Sequence, residues 1–361
     1  MATGFMFLAG ISHLDIGAYS EVELGGNGLE VVMALDNTES MNYEGRLPAL
    51  KTAAKSLVDT VLDGSRVSGT YVKVGIVPFS NYVNVGLASK AKPWITVAPD
   101  ETVSNPNYCW DTYPNATKSN CHNETYTGYV DGVAQTYTTE VCDWNNGSPV
   151  QQCGSYTWNY TWQGCVGSRD APLDTKISAI GTKYKGLVRD SWGNQVYCAK
   201  EITQLTDDKT QLNAAIDAMA GVGNTYIAPG VLWGWNMLDA NEPLTGAKTK
   251  SWMTANRGTK ALVLMTDGDN TLSPSATTYA LHDGNDVAAA NSTTAKTCEN
   301  AKHDGIKIYT VAFKVTNSVA KDMLRDCASS PDMAFQADDA TALNTAFNDI
   351  AKSLIATRLT K

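Results

Sequence analysis

Asp36-Asn37-Thr38-Glu39-Ser40 places one carboxylate and two hydroxyls at alternate positions directly after an apolar run at residues 29 to 35. A turn there can aim all three at one point. A second carboxylate, Asp267 in Thr266-Asp267-Gly268-Asp269, follows another apolar run at residues 260 to 266. Carboxylates and hydroxyls without thiol or imidazole form a donor set for a hard divalent cation. Few protein charges and open coordination positions suit Mg2+, with Ca2+ or Mn2+ as chemical alternatives. Asp269 belongs to only half a calcium loop, lacking the Gly at the sixth position and the final Glu, and is expected to serve a turn. Asp36, Ser40 and Asp267 taken singly read as helix or turn caps. Their coincidence at two strand ends favours the cation.

The elements that must position them follow from periodicity. The run at 29 to 35 is a buried strand, and Leu47, Leu50, Ala54, Leu57, Val58, Val61 and Leu62 follow at helical spacing. Val72, Val74 and Ile76 alternate in a second strand, and 260 to 266 and 306 to 313 supply two more. Helical patterns lie at about 208 to 220, 229 to 239, 284 to 303, 317 to 328 and 341 to 357. Strands alternating with helices predict an α/β fold with a doubly wound, mainly parallel sheet, in which ligands sit at the carboxyl ends of the strands. Asp36 and Asp267 fall at such ends.

Residues 99 to 198 break this pattern. They hold six of the eight Cys, together with Trp110, Trp144, Trp158, Trp162 and Trp192. The expected organisation is a lead-in at 1 to 25, a first part of the α/β domain at 26 to 98, a Cys- and aromatic-rich insert at 99 to 198, and a second part at 199 to 361. The insert should be a small, β-rich, disulfide-held fold of short strands, with most of its Trp and Tyr forming a core. Six Cys allow about fifteen pairings, among which sequence does not choose. The zinc alternative would want C-x2-C pairs, and the tightest spacing is Cys142 to Cys153.

Composition excludes other classes. With 28 Lys and Arg against 37 Asp and Glu, a net charge of −9 speaks against a nucleic-acid partner. Phe5-Met6-Phe7-Leu8 is too short to span a membrane, and no Lys or Arg precedes it as in a signal peptide. The chain as given is therefore expected to be soluble, and the disulfides imply export of a piece cut from a larger precursor. The triplets at Asn115, Asn123, Asn146, Asn159 and Asn291 match the glycosylation pattern by composition alone. His13, His122, His282 and His303 show no metal spacing and are expected at the surface. No nucleophile elbow, zinc-protease, Walker A or dinucleotide motif stands in a convincing context.

Asp-x-Thr-x-Ser after the first strand, Thr-Asp-Gly after a later one and a Gly-Asn-Thr loop between them resemble the metal-ion-dependent adhesion site of von Willebrand factor A domains. Leu29-Glu30-Val31 through Ser40-Met41, Val74-Gly-Ile-Val-Pro-Phe79, Gly223-Asn-Thr-Tyr-Ile-Ala-Pro-Gly230 with Trp233-Gly-Trp235, and Cys327-Ala-Ser-Ser-Pro331 resemble TadG-type proteins of bacterial Tad (Flp) pilus systems. The likeness covers about 26 to 98 and 199 to 358. It implies a metal set of Asp36, Thr38, Ser40, Thr225 and Asp267, in which the hydroxyls bind directly and the aspartates directly or through water. It further implies a protein partner that supplies a carboxylate to the ion. Two departures stand out: Thr38 replaces the commoner Ser, and Glu39 stands where a Gly is usual. Cys298 and Cys327, in consecutive predicted helices, read as one disulfide, and the TadG-like relatives resemble this arrangement.

The expected protein is thus a binder and not an enzyme. It would be a divalent-cation-dependent adhesion or assembly component of a Tad-type pilus or the bacterial cell surface, periplasmic or extracellular, meeting pilus components or a host or surface receptor. Its membrane tether is left open, since TadG-like proteins usually begin with an anchoring segment. The alternatives are a Mg2+-dependent phosphatase, which generally wants a second acid where Thr38 stands, and a structural pilus-associated protein with a degenerate metal site.

Overall fold

A computed structural model describes residues 28–63, 70–130, 133–177 and 181–359. The lead-in expected at 1 to 25 lies outside them. Strand β1 (Gly28–Asp36) is buried along its whole length. A short 3-10 turn at Glu39–Asn42 leads to helix α1 (Arg46–Asp63) and then to β2 (Tyr71–Phe79). Short strands and the Cys-rich segment, described below, follow, and then come α2 (Lys209–Ala218), α3 (Ile227–Leu238), α4 (Lys250–Ala255) and β12 (Thr259–Thr266). The chain ends with α5 (Val287–His303), β13 (Lys307–Phe313), α6 (Ser318–Cys327), β14 (Ala334–Ala337) and α7 (Ala340–Leu359).

The sheet runs β14-β13-β12-β1-β2, all parallel. Alternate residues of β1 serve two cores, because successive side chains of a strand point to opposite faces. Leu29, Val31, Met33 and Leu35 pack with α1, α2 and α7, whereas Val32 and Ala34 pack with α3, α5 and α6. Helices on both faces explain why these strands read as unbroken apolar runs. Helix α3 is buried throughout, and a strand-like polar face would have been intolerable there. The expected doubly wound, mainly parallel α/β sheet is the fold observed.

Beyond β2 the sheet becomes mixed and its strands short, a region the sequence reading did not resolve. β3 (Val83–Asn84) pairs antiparallel with β2, and β9 (Cys165–Val166) with β3. β10 (Tyr184–Gly186) then links β9 to β4 (Ile95–Val97). β11 (Thr203–Thr206) lies antiparallel on β2. Strands of two to four residues carry no periodicity to read.

The Cys-rich segment differs from expectation in shape. β5 (Glu101–Thr112) pairs with β8 (Val150–Tyr160), and β6 (Thr117–Val130) with β7 (Val133–Asn145), as nested antiparallel ladders of one long ribbon. Cys109–Cys153 and Cys121–Cys142 bridge its two sides. The strands are long, and the ribbon builds no core: Trp110 and Trp144 are exposed, with Trp144 at 58%. A two-stranded ribbon has no third layer to cover its faces, so cross-strand bonds must hold it. Residues from 161 onward pack back on the sheet, where Trp162 is buried and Cys165–Cys198 closes the return. Trp192 stands at 72% exposure. Cys298 and Cys327 join α5 to α6 as expected, so all eight Cys are paired and no thiolate is left for zinc. Among the described residues no helix is long and apolar enough to cross a membrane.

Candidate metal centre

β1 delivers Asp36 to the carboxyl edge of the sheet, where it lies opposite Phe79 of β2 and the Asn37 N–H donates to the Phe79 carbonyl at 2.7 Å. The chain then turns sharply. Asp36 Oδ1 accepts from the Thr38 N–H at 2.8 Å, the local side-chain-to-backbone bond that makes Asp a turn residue. Met41, fully buried in the α1-side core, anchors the far end of the 3-10 turn. Between these two anchors Thr38 and Ser40 have their oxygens 2.9 Å apart.

β12 delivers the other half. Thr266 Oγ1 donates to Asp36 Oδ2 at 2.6 Å, and Ser40 Oγ donates to Asp267 Oδ1 at 2.9 Å. Asp36, Thr38, Ser40 and Asp267 are all buried. The structure therefore brings four of the five expected residues into one chain of short polar contacts.

Thr225, also buried, arrives on the loop between α2 and α3. That loop docks directly on the turn: the Glu39 N–H donates to the Gly223 carbonyl at 2.9 Å and the Val222 N–H to the Asn37 carbonyl at 2.8 Å. Two glycines make the approach possible. A Cβ on Gly221 would meet the Thr38 carbonyl at 2.6 Å, and Gly223 has φ +70°. The Thr225 carbonyl accepts from the Thr271 and Leu272 N–H groups, which locks the loop to the segment after β12. Asn270 adds a clamp that sequence reasoning missed. Its Oδ1 caps α3 at the Ile227 N–H (2.7 Å) while its Nδ2 donates to Asn291 and Thr294 of α5. A buried Asn just after a strand end was the available signal. Asp269 accepts from Asn317 Nδ2 at the start of α6, in keeping with a turn role.

Arg46 was also missed. Glu44 and Gly45, at φ +52° and +69°, swing the chain so that the guanidinium at the start of α1 faces inward. Arg46 Nη1 lies 2.8 Å from Asp267 Oδ2, and Nη2 is 3.1 Å from Glu44, which also pairs with Lys314 at 3.1 Å. Burial works against the Arg46 charge, but its bonds to Asp267 and Glu44 outweigh that, and its pKa stands above the ordinary value. Hydrogen bonds from Lys314 and Arg46 hold Glu44 below the usual carboxylate range. Glu39 is exposed and takes no place among the four clustered side chains.

A hard cation fits these residues chemically. Neighbouring ligands of an octahedral Mg2+ sit about 3.0 Å apart when each bond is about 2.1 Å, and the Thr38 and Ser40 oxygens are 2.9 Å apart. A serine hydroxyl that donates to Asp267 keeps lone pairs for a metal. With both Asp267 oxygens engaged by Ser40 and Arg46, this carboxylate is arranged to act through a hydroxyl or water.

Of the histidines, His122 and His303 are exposed, but His282 is 1% exposed, against the surface position expected for it; His13 lies outside the described residues. His282 Nε2 meets Ser168 Oγ at 2.7 Å and its Nδ1 meets the Asn81 carbonyl at 2.5 Å, so it pins the returning Cys-rich segment to the sheet. Burial pushes its pKa down to about 4.

Residues 191–349 match the family model of the von Willebrand factor type A domain, and the fold is that of a von Willebrand A domain. No curated protein matches the chain in sequence. Among solved structures, the pilus adhesin SpaC from Lactobacillus rhamnosus GG is 15% identical at a TM-score of 0.46, covering 92% of this chain; this chain spans only 31% of that one. The vWF domain of the type V pili tip protein Mfa5 from Porphyromonas gingivalis is 10% identical at 0.47, covering 93% and 98%. Proximal thread matrix protein 1 from the mussel byssus, solved with a zinc-occupied MIDAS motif, is 12% identical at 0.41, covering 93% and 49%.

Proposed function

We propose that this chain is a divalent-cation-dependent protein-binding module. Mg2+, or Ca2+ or Mn2+ in its place, would be held by Thr38, Ser40 and Thr225, with Asp36 and Asp267 orienting the hydroxyls and balancing charge. The bound ion would supply a Lewis-acidic position for a carboxylate of a partner protein. The observation that carries this reading is the continuous set of contacts at 2.6 to 2.9 Å joining Thr266, Asp36, Thr38, Ser40 and Asp267 across two strand ends. A purely structural cap would not need two hydroxyls from one turn facing each other in a buried position.

The setting proposed is the bacterial cell envelope, in a Tad-type pilus or at the surface, and it rests on the TadG-like motifs with support from four disulfides. A phosphatase is disfavoured because its nucleophilic Asp generally works with a second acid two residues on, where this chain has Thr38. Calorimetry with Mg2+, Mn2+ and Ca2+ on the wild type and on Asp36→Ala tests the reading. Saturable binding by the wild type that Asp36→Ala loses supports it; equal binding by both ends it.

A further inference from the structure

The ladder formed by β5 and β8 has two unlike faces. On one, Thr102 bonds Asn159 at 2.9 Å, Ser104 bonds Thr157 at 3.2 Å and Cys109 joins Cys153, so polar groups and a disulfide tie strand to strand. The other carries Tyr108, Trp110, Tyr156 and Trp158. Successive side chains of a strand alternate between faces, so Asn105 and Tyr108, three residues apart, would ordinarily fall on opposite ones. A bulge lies between them, with Asn105 opposite Tyr156 and Tyr108 opposite Gly154. Pro106, which has no N–H to give to a ladder, sits in it, and Asn105 Oδ1 accepts from the Asn107 N–H at 3.1 Å. The extra residue returns Tyr108 and Trp110 to the face of Tyr156 and Trp158.

The four rings form one contiguous group. The Tyr156 and Trp158 centroids are 4.3 Å apart, and Tyr108 lies 5.6 Å from Tyr156 and 5.8 Å from both Trp110 and Trp158. Although they pack on one another, Tyr108, Trp110 and Tyr156 remain 39% to 50% exposed. A contiguous apolar patch left in water marks an interaction site.

Charge and area decide what fits it. β5 and β8 hold two charged residues, Glu101 and Asp111. Glu101 pairs with Arg189 at 3.3 Å, and Asp111, in register with Gln151, falls on the face of Cys109. The aromatic face beyond Glu101 is therefore uncharged, and it lacks the basic groove that nucleic acid needs beside its stacked bases. Two strands about 4.8 Å apart, over about ten residues at about 3.3 Å each, make a strip of about 300 Å². A stable protein interface takes about 800 Å² from each partner, so a second copy of the chain is poorly served. A slender, uncharged chain fits. In a hexose with equatorial hydroxyls, the axial C–H bonds make the ring faces apolar and slightly positive, which matches the negative face of an aromatic ring. Asn105 and Gln152, opposite Tyr156 and Trp110, place amides on the same face for the hydroxyls at the sugar's edge.

We propose that the aromatic face of the β5–β8 ladder is a binding site, separate from the metal centre, for a neutral polysaccharide of β-linked hexoses. The sugar rings stack on Tyr108, Trp110, Tyr156 and Trp158 along the strand direction. Cellohexaose, chitohexaose and, as an anionic counterpart, a galacturonate oligomer are titrated separately into the full chain in EDTA, so that the outcome does not depend on the metal centre. Calorimetry and Trp fluorescence report binding, and analytical ultracentrifugation reports self-association.

The expected result is saturable binding of at least one neutral oligomer, weakened about tenfold or more by Trp110→Ala and by Tyr156→Ala, as loss of an aromatic anchor does. Both side chains stand in solvent, and two separate variants keep the test valid if one fails to fold. Trp144→Ala, on the β6–β7 ladder, should bind as the wild type does. No saturable binding of either neutral oligomer at millimolar concentration overturns the proposal, as does binding of the galacturonate oligomer alone. Binding that Trp110→Ala and Tyr156→Ala leave unchanged, or that Trp144→Ala weakens equally, overturns it too. Dimerisation of the wild type that Trp110→Ala abolishes would assign the face to a second copy instead.

Discussion

Arg46 Nη1 lies 2.8 Å from Asp267 Oδ2, with the Arg side chain 5% exposed and the Asp side chain fully buried. The proposed metal centre thus carries its own counter-cation. Removing the Arg strands a buried carboxylate, which typically costs about 3 to 5 kcal/mol. Arg46→Met should therefore melt well below the wild type in EDTA. A divalent cation would return the missing positive charge, so Mg2+ should raise the melting temperature of Arg46→Met more than that of the wild type. Thermal melts of both proteins with and without Mg2+ check this; equal shifts would separate Arg46 from the metal centre.

His282 makes stability depend on acid. Its folded pKa of about 4 lies below the ordinary value of 6.5 because burial disfavours the charged ring. The unfolded chain therefore binds the proton first as pH falls, and the contribution of the neutral ring is complete above pH 6.5 and lost progressively down to pH 4. The loss amounts to about 3 kcal/mol over that window. Urea unfolding at pH 7 and pH 4.5 should show a larger drop for the wild type than for His282→Gln. Parallel drops would place the acid sensitivity elsewhere.

The disulfide between the core helices and those of the ribbon differ in what they support. Cys298–Cys327 closes a 29-residue separation between two core helices, and replacing both with Ala should destabilise the domain by roughly 3 to 4 kcal/mol in the chain-entropy view. Cys109–Cys153 and Cys121–Cys142 instead hold a ribbon that buries little. Replacing those four Cys should leave the main melting transition within about 1 kcal/mol of the wild type. Proteolysis between residues 101 and 160 should become rapid at the same time. A large fall in the main transition would show that the ribbon supports the sheet.

What the sequence made legible was whatever carries a period or a fixed spacing. β1, β12 and β13 were visible because burial on both faces makes them continuous apolar runs, and α1 and α5 to α7 because their apolar residues recur at helical spacing. Asp36, Thr38, Ser40 and Asp267 were found from position alone, at strand ends; Thr225 came only through the family resemblance. Arg46 was not visible, because its inward turn depends on left-handed backbone at Glu44 and Gly45. Asn270 and His282 were hidden for a related reason: their partners, Ile227, Asn291 and Ser168, lie far along the chain. The ribbon was misjudged because aromatic and Cys content suggests a core, whereas two strands with no covering layer leave Trp110 and Trp144 in solvent.

Crystals of the chain soaked in Mn2+ and measured for anomalous scattering give the most direct test of the central claim. The prediction is one strong peak in contact with Thr38 Oγ1 and Ser40 Oγ, lost in crystals of Ser40→Ala. No peak there, with Ser40 still donating to Asp267 and Arg46 still closed over it, would contradict the account.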